Sequence, residues 1–439
     1  MMGPLGVVVW TLFGVLVGLG FSWMPGFHVY NVIALLAVTG GAITFIPQEA
    51  FPFFVLGALV SFAYSSVIST VYFSVADDTM IFMLFPTQRY LVAGRGHEAV
   101  LVTLLGTLAG SVILAASMPV MPLILPFLRD VLNQFITVFL SALVVFMFMS
   151  EWLKMGEREE NRLRRFLKAW SQIAGGVFVF LASGLLGFVV LNTDILPSSV
   201  AYVRLTPLFL GFFGLPWVLV NLLSGLPVGE QDTRDEVSTD WKGLLSGVFG
   251  GALGGYIAAF FPLITGGMGA LVAGHITSQR GDDTFMASQG ANRFIYYVGA
   301  FLFLFLPAAS LTRGSAAWLV SSIYQPKTYQ EYVYSIGALL LASGVSFIGT
   351  VALSKLVARI VGRWFKQISL AVAVLLVAIA WALTGPMGVV VMLIAAVIGA
   401  SSVFLNTRRS YCLGVLILPV LVSMTGNTGV VMKLLGLGV

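Results

Sequence analysis

The sequence predicts an all-α protein, a polytopic bundle of hydrophobic helices that cross a membrane, and three observations predict this class. The chain has 439 residues, of which 59% are hydrophobic and only 9% are charged. Its mean hydropathy of +0.99 lies far above that of soluble domains. Apolar runs of about 20 residues, enough to cross roughly 30 Å of hydrocarbon, recur along most of the chain. They lack the alternating pattern of barrel strands, so we expect helices.

Basic segments separate some of the predicted spans. Residues 151–168 and 355–366 carry clustered lysines and arginines, and by the positive-inside rule we expect both to face the cytoplasm. The net charge of +5 therefore indicates orientation on a membrane, and we expect no nucleic-acid partner. We place the spans near residues 5–22, 51–72, 98–119, 131–152, 169–192, 205–226, 243–261, 291–312, 333–353, 368–384, 386–405 and 411–424.

Several classes of site have no sequence signature here. Cys412 is the only cysteine, so neither an intramolecular disulfide nor a cysteine-rich metal site is expected. No nucleophile elbow, phosphate-binding loop or His-Glu-x-x-His motif occurs. We therefore expect no enzyme, no metal and no cofactor. The N-terminus lacks a positively charged region, so we expect the first span to be retained rather than cleaved.

The first apolar run is broken by the stretch GFSWMPGFHVYN, residues 20–31, and this break has a counterpart later in the chain. A constant shift of 237 residues aligns it with the stretch around residues 251–268. Because self-similarity of this kind indicates duplication, we predict an internal repeat. The aligned positions are Gly14 with Gly251, Gly18 with Gly255, and Pro25 with Pro262.

A second pair of similar motifs supports the predicted duplication. The triplet Asp77–Thr79 recurs as Asp282–Thr284, and an arginine follows each triplet at similar spacing, Arg89 and Arg293. Two copies of Asp-Asp-Thr are unexpected by chance in a chain with 18 acidic residues. We predict an N-terminal transmembrane repeat at 1–228, a polar linker at 229–242 and a C-terminal transmembrane repeat at 243–439. An inverted repeat is our preferred topology, and a parallel repeat is the alternative.

The paired breaks predict a binding site made of discontinuous or re-entrant helices. Transporter repeats meet near the bilayer midplane at such elements, and a free helix N-terminus attracts anions. We predict that substrate binds at Pro25, Gly26, His28, Asn31, Arg89, Pro262, Thr265, Gly266, Gly267, Asn292 and Arg293. For the coupling ion, Na⁺ or H⁺, we predict Asp77, Asp78, Thr79, Asp282, Asp283 and Thr284.

Each of these residues also has a structural alternative. Proline and glycine kink tightly packed membrane helices, and His28 or Asn31 could bond to a neighbouring carbonyl rather than to a ligand. Aspartate ahead of an apolar run caps a helix. The two arginines could pair with the preceding aspartates or reach to the membrane interface.

Three stretches of the sequence resemble one family. The segment VADDTMIFMLFPTQRYLVAGRGHEAV, with Gly94–Ala99 reading Gly-Arg-Gly-His-Glu-Ala, is similar to the TctA-type permeases of tripartite tricarboxylate transporters, particularly their archaeal branch. PGFHVYN and GANRFIYYVGAFLFLFLPAASLTRGSAA also resemble motifs of that family. The resemblance implies a secondary transporter of organic carboxylates that is driven by sodium or protons. The turn at residues 86–89 and Pro262-Leu263 depart from the family pattern, so the substrate stays open.

We therefore expect an ion-coupled permease for small organic anions, and di- and tricarboxylates are the substrates we favour. We expect it to be a multi-pass protein of the plasma membrane. The alternative is a polyprenyl-phosphate translocase that uses the same pocket for the phosphate head. An embedded enzyme or a channel is disfavoured, because neither a nucleophile set nor repeated filter sequences occur. The expected partners are membrane lipids and the anion, with a homodimer and a separate binding protein as open alternatives.

Overall fold

The computed structural model describes residues 2–25, 45–77, 79–149, 162–197, 201–224, 228–261, 264, 266–277, 281–307, 311–405 and 407–437. Throughout these ranges the regular structure is helical, as the hydrophobic runs predict, and no strand occurs in them. The α-helices are α1 Pro4–Phe21, α2 Phe51–Ser65, α3 Val67–Phe73, α4 Leu84–Val92, α5 Gly96–Ser117, α6 Met121–Met149, α7 Arg162–Asn192, α8 Ala201–Phe209, α9 Leu215–Ser224, α10 Trp241–Phe260, α11 Gly266–Thr277, α12 Asp282–Phe294, α13 Ala300–Leu302, α14 Gly314–Ile323, α15 Tyr329–Phe404, α16 Gly414–Met424 and α17 Thr428–Leu434.

Seven helical stretches of the described chain are long and apolar enough to cross a membrane, or up to eight if the bent pair Arg409–Met424 and Thr428–Leu434 is one span. The multi-pass architecture is thus confirmed, but with fewer separate helices than the apolar runs predict. The main reason is α15, whose 76 residues take in three predicted spans. Gly385 in this helix has φ +70°, a left-handed value suited to glycine, and Pro386 follows. Right-handed helix geometry is therefore interrupted between predicted spans 368–384 and 386–405.

The predicted span 291–312 also differs from the structure. Helix α12 begins earlier, at Asp282, and passes into a π-helical turn at Ile295–Gly299. Regular helix ends at Phe305, and Arg313 is extended with φ −129° and ψ 130° before α14 begins. Such π-turns frequently mark functional sites.

The chain forms two compact units, and each unit is made of two separate segments of the sequence. Unit 1 contains Met1–Leu132 and Asn221–Val372, and unit 2 contains Asn133–Val220 and Ala373–Val439. All residues of the site described below belong to unit 1. In unit 2, α7 and α16 pack through Gly184 and Gly187, and the rings of Phe148 and Tyr411 stack 5.4 Å apart.

The core of unit 1 is built where glycines let helices touch. A Cβ on Gly251 of α10 would overlap the carbonyl of Ser288, and one on Gly255 would lie 2.7 Å from the carbonyl oxygen of Asn292. Because residue numbers rise together along both helices, α10 and α12 run in the same direction. Small residues let helix backbones approach this closely in a membrane.

Helices α1 and α2 pack in the same way. Gly14 meets the backbone of Phe54, and Gly18 meets the backbone of Ala58, again with rising numbers on both helices. Gly14 and Gly18 are the positions that the sequence aligned with Gly251 and Gly255. Their shared role as contact points agrees with the predicted duplication, which stays a prediction.

Helix α11 returns along α10 in the opposite direction. A Cβ on Gly254 would lie 2.9 Å from the Cβ of Ala273, and a Cβ on Gly269 would lie 3.0 Å from the Cβ of Ala258. With 12 residues, α11 is only about 18 Å long, too short to cross roughly 30 Å of hydrocarbon. The break between the two helices is tight, because the Ile264 N–H donates to the Phe261 carbonyl at 3.3 Å.

Candidate functional site

A buried ion pair joins two distant parts of unit 1. The Nη2 of Arg293, on α12, donates to Oδ2 of Asp77 at 2.8 Å, although the two residues are 216 positions apart. The Arg293 side chain is 1% exposed and that of Asp77 is 16% exposed. Burying a guanidinium is costly unless it is paired, so Asp77 offsets part of the cost of burying Arg293.

Aromatic rings and a sulfur surround the guanidinium of Arg293. Its Cζ lies 4.6 Å from the ring centroid of Phe62 and 5.7 Å from that of Tyr297. The Tyr297 hydroxyl donates to Asp77 Oδ2 at 3.4 Å, and Arg293 Nη1 donates to the sulfur of Met80. Cation–π contacts strengthen when water is excluded. The Nε of Arg293 is buried and has no partner among the described residues.

The other oxygen of Asp77 shapes the chain around it. Oδ1 accepts from the Thr79 N–H at 3.0 Å, from the Thr79 hydroxyl at 2.6 Å and from the Met80 N–H at 3.2 Å. Ser74, just before this turn, has φ 56° at the end of α3. Left-handed backbone is uncommon outside glycine and tends to occur at functional sites. Asp77 therefore acts both as a turn cap and as the counterion of Arg293.

The start of α11 lies beside this turn. A Cβ on Gly266 would lie 2.7 Å from Cγ2 of Thr79 and 2.8 Å from Cδ1 of Tyr296. The side-chain nitrogen of Asn292 donates to the Gly266 carbonyl at 2.9 Å. Thus a helix N-terminus is positioned next to the buried Arg293 and the partly buried Asp77.

The structure brings together five of the predicted site residues and places others elsewhere. Asp77, Thr79, Gly266, Asn292 and Arg293 form the cluster just described. Gly267 lies in the first turn of α11, and Pro25 is buried just after α1 ends. Outside the described residues lie Gly26, His28, Asn31, Asp78, Pro262 and Thr265.

The second acidic triplet lies at a different place from the first. Asp282 and Asp283 are in the first turn of α12, where Asp283 accepts from the Thr284 N–H at 2.8 Å. Asp282 pairs with Arg89 at 2.6 Å, with side chains 30% and 67% exposed. Arg293 lies eleven positions after Asp282, a rise of about 16 Å along a helix. Each triplet follows a helix, α3 or α11, and precedes or begins another, and the equivalence of the two triplets in a repeat stays a prediction.

The motif at Gly94–Ala99 is hydrogen-bonded to the polar linker, residues 229–242. His97 is buried, with Nδ1 2.8 Å from the Ser354 hydroxyl and Nε2 3.0 Å from Asp235 Oδ1. Asp235 also pairs with Lys355. Hydrogen bonds from Lys355 and His97 hold the pKa of Asp235 below its usual range. These contacts attach the linker to α5 and α15.

Glu98 strengthens the same attachment. Arg95 donates to it from Nε at 2.6 Å and from Nη2 at 2.7 Å, and the Ser238 hydroxyl donates to it at 2.7 Å. The linker is therefore tied to α5 at more than one point. In the part of the chain that the structure describes, no group of three or more His, Cys, Asp or Glu residues is arranged to hold a metal ion.

Sequence reasoning missed the surroundings of Arg293. Phe62, Met80 and Tyr297 are ordinary membrane residues by type, and only the spacing of four between Arg293 and Tyr297 on one helix could have indicated a contact. Phe62 contacts the guanidinium through tertiary packing, which no local pattern reveals.

Comparison with known proteins identifies the family of this chain. No solved structure matches it. The uncharacterized protein MJ1079 of Methanocaldococcus jannaschii is 24% identical over 425 residues, which cover 94% of this chain and 97% of that protein. The Tripartite tricarboxylate transporter TctA family matches residues 8–414, nearly the whole length. The chain therefore belongs to the TctA family of tripartite tricarboxylate transporters.

Proposed function

We propose that this transporter is an ion-coupled permease for small di- and tricarboxylates in the plasma membrane, and that Arg293 binds one carboxylate of the substrate. The observation that carries the proposal is the meeting of Arg293, Asp77 and the N-terminus of α11 within unit 1. Guanidinium groups bind carboxylates through paired hydrogen bonds. The α11 N-terminus adds the positive end of a helix dipole.

In this mechanism Asp77 couples the ion to the anion. Without the ion, Asp77 occupies the guanidinium at 2.8 Å. A proton on Asp77, or Na⁺ bound beside it and Thr79, weakens this pair and frees Arg293 for the substrate carboxylate. Asp78 adjoins the turn in sequence and is the second candidate for the ion. The short, antiparallel α11 acts as a re-entrant element whose first turn faces the substrate.

The family name implies further components, and we propose that a separate binding protein delivers the anion to this chain. Membrane lipids surround the apolar helices, and a homodimer is compatible with this scheme. Asp282 and Asp283 take no direct part in binding, because they lie about 15–16 Å along α12 from Arg293, and Arg89 of α4 is paired with Asp282.

The test is uptake into proteoliposomes that contain the purified chain. Citrate, succinate and tricarballylate are supplied with and without a sodium gradient, and again with a proton gradient. We expect gradient-dependent accumulation of at least one of them, together with a raised unfolding temperature of the detergent-solubilised protein. If none of the three is taken up or stabilises the protein while a polyprenyl phosphate does, the carboxylate proposal is wrong and the lipid-phosphate alternative replaces it.

A further inference from the structure

Arg313 is a second arginine beside the break that separates α10 from α11. Its own backbone is extended, and it immediately precedes α14. Its Nη2 donates to the carbonyls of Ala258, at 2.7 Å, and Phe261. These carbonyls belong to the C-terminal end of α10, which carries the negative end of its dipole. One nitrogen of Arg313 therefore anchors the side chain to the break.

The rest of the guanidinium is not accounted for by these contacts. Nη1 of Arg313 is buried and has no hydrogen-bond partner among the described residues. Among the described residues, no carboxylate lies within ion-pair distance of Arg313, whereas Arg293 has Asp77 at 2.8 Å. Helix carbonyls balance only part of a full positive charge. A buried donor without an acceptor costs about 1–3 kcal/mol, so an anion at Nη1 would supply both the missing acceptor and the missing charge.

A short stretch of chain connects the anchor of this donor to the site already described. Phe261, which Arg313 contacts, begins the break, and Gly266, which Thr79 and Tyr296 flank, ends it. Five residues span at most about 18 Å even when fully extended. This stretch is shorter, because the Ile264 N–H turns back to the Phe261 carbonyl.

We infer that Arg313 binds a second oxyanion group of the substrate, while Arg293 binds the first. The inference rests on the proposed function, and it makes Arg313 the residue that distinguishes a dicarboxylate from a monocarboxylate. A second carboxylate gains a charge-assisted hydrogen bond from Nη1, whereas a methyl group at that end leaves the donor unpaired. Selectivity for two negative groups then follows from a single side chain at the break.

The experiment compares Arg313→Gln, Arg313→Lys and the matched control Arg89→Gln, whose arginine lies in an exposed pair. The glutamine amide can still donate to the α10 carbonyls but carries no charge. Affinities for succinate, butyrate and inorganic phosphate are measured from the ligand-dependent rise in unfolding temperature, with KM and Vmax for uptake. We expect Arg313→Gln to weaken succinate binding at least tenfold, to leave butyrate binding within twofold, and to raise KM more than it lowers Vmax. The succinate affinity of Arg313→Lys should lie between that of the unaltered chain and that of Arg313→Gln. Arg89→Gln should match the unaltered chain.

A purely structural role predicts a different pattern and would overturn the inference. Arg313→Gln would then lower the unfolding temperature without changing the ratio of succinate to butyrate affinity. Asp78 lies outside the described residues, so Asp78→Asn is the companion variant. If the double variant regained the stability lost by each single variant, Asp78 would be the counterion of Arg313, and the inference would be wrong.

Failure of the proposed function is distinguishable from failure of this inference. If the unaltered chain binds phosphate but no carboxylate, the proposed substrate is wrong. The role of Arg313 then stands only if Arg313→Gln weakens phosphate binding tenfold. If the unaltered chain responds to succinate and Arg313→Gln does so equally, only the inference fails. A chain that responds to none of the anions would contradict both.

Discussion

Two arginine–aspartate pairs link the same two regions of the chain, and their environments are opposite. Arg293 and Asp77 are 2.8 Å apart and almost removed from solvent, whereas Arg89 and Asp282 are 2.6 Å apart with the arginine 67% exposed. The sequence presents both arginines in similar motifs. Exposed pairs contribute about 0–1 kcal/mol to stability, but breaking a buried pair leaves an uncompensated charge. Burial and not the motif therefore distinguishes the two pairs.

The largest effect is expected from Arg293→Ala. This change leaves Asp77 partly buried without a counterion and removes the contact with Phe62, so we expect a loss of about 3–5 kcal/mol of stability. Carboxylate uptake should fall to background. Thermal unfolding in detergent and uptake by refolded or directly reconstituted protein measure the two effects. Wild-type stability and uptake in Arg293→Ala would remove Arg293 from the proposed site.

Asp77→Asn should have the next largest effect. The asparagine oxygen can still accept from the Thr79 and Met80 N–H groups, but the charge that faces Arg293 is lost, at a cost of about 2–3 kcal/mol. Because the neutral side chain resembles the ion-loaded state, we expect succinate binding to persist and to lose its dependence on sodium or pH. Binding measured over a range of sodium concentrations and pH values tests this, and an unchanged ion dependence would reduce Asp77 to a cap and counterion.

Asp235→Asn tests the attachment of the linker. The lowered pKa of Asp235 means that its carboxylate stabilises the fold fully above the ordinary aspartate range, and that this contribution is lost as pH falls through the lowered pKa. We therefore expect no loosening between pH 5 and 8 in the unaltered chain. Asp235→Asn should increase trypsin cleavage after Arg234 at neutral pH severalfold. Equal cleavage of both proteins would show that His97 and Lys355 do not hold the linker.

The smallest effect is expected from the exposed pair. Arg89→Ala should change stability by less than about 1 kcal/mol, and the small change should vanish at high salt. Exchange of the two residues, Arg89→Asp with Asp282→Arg, should be nearly neutral as well. Unfolding temperatures at low and high ionic strength measure both variants. A loss as large as that of Arg293→Ala would mean that the two pairs do not differ as their burial indicates.

Hydrophobicity alone was enough to predict an all-helical membrane protein, because the cost of unpaired backbone groups in lipid leaves few alternatives. The number of separate helices was less predictable. Apolar runs show where the chain is hydrophobic but not whether a helix continues between them, and α15 continues through residues 355–366 despite their charges. At Gly385, by contrast, Gly-Pro marked the interruption correctly.

The site was predicted in part. Gly14, Gly18, Gly251 and Gly255 were chosen as repeat positions, and the structure shows them as contact points between helices. The two Asp-Asp-Thr triplets have different local contacts, because Asp77 pairs with the buried Arg293 whereas Asp282 pairs with the exposed Arg89. The pairing of Asp77 with Arg293 over 216 positions required the tertiary fold.

The wide separation of Asp77 and Arg293 also has a consequence for how the chain is made. At about 5–20 residues per second, a ribosome completes Arg293 some 10–40 s after Asp77. During that interval the aspartate has entered the hydrophobic part of the protein without its counterion. Insertion of this chain thus includes a period in which the acidic side chain lacks the arginine that pairs with it in the folded protein.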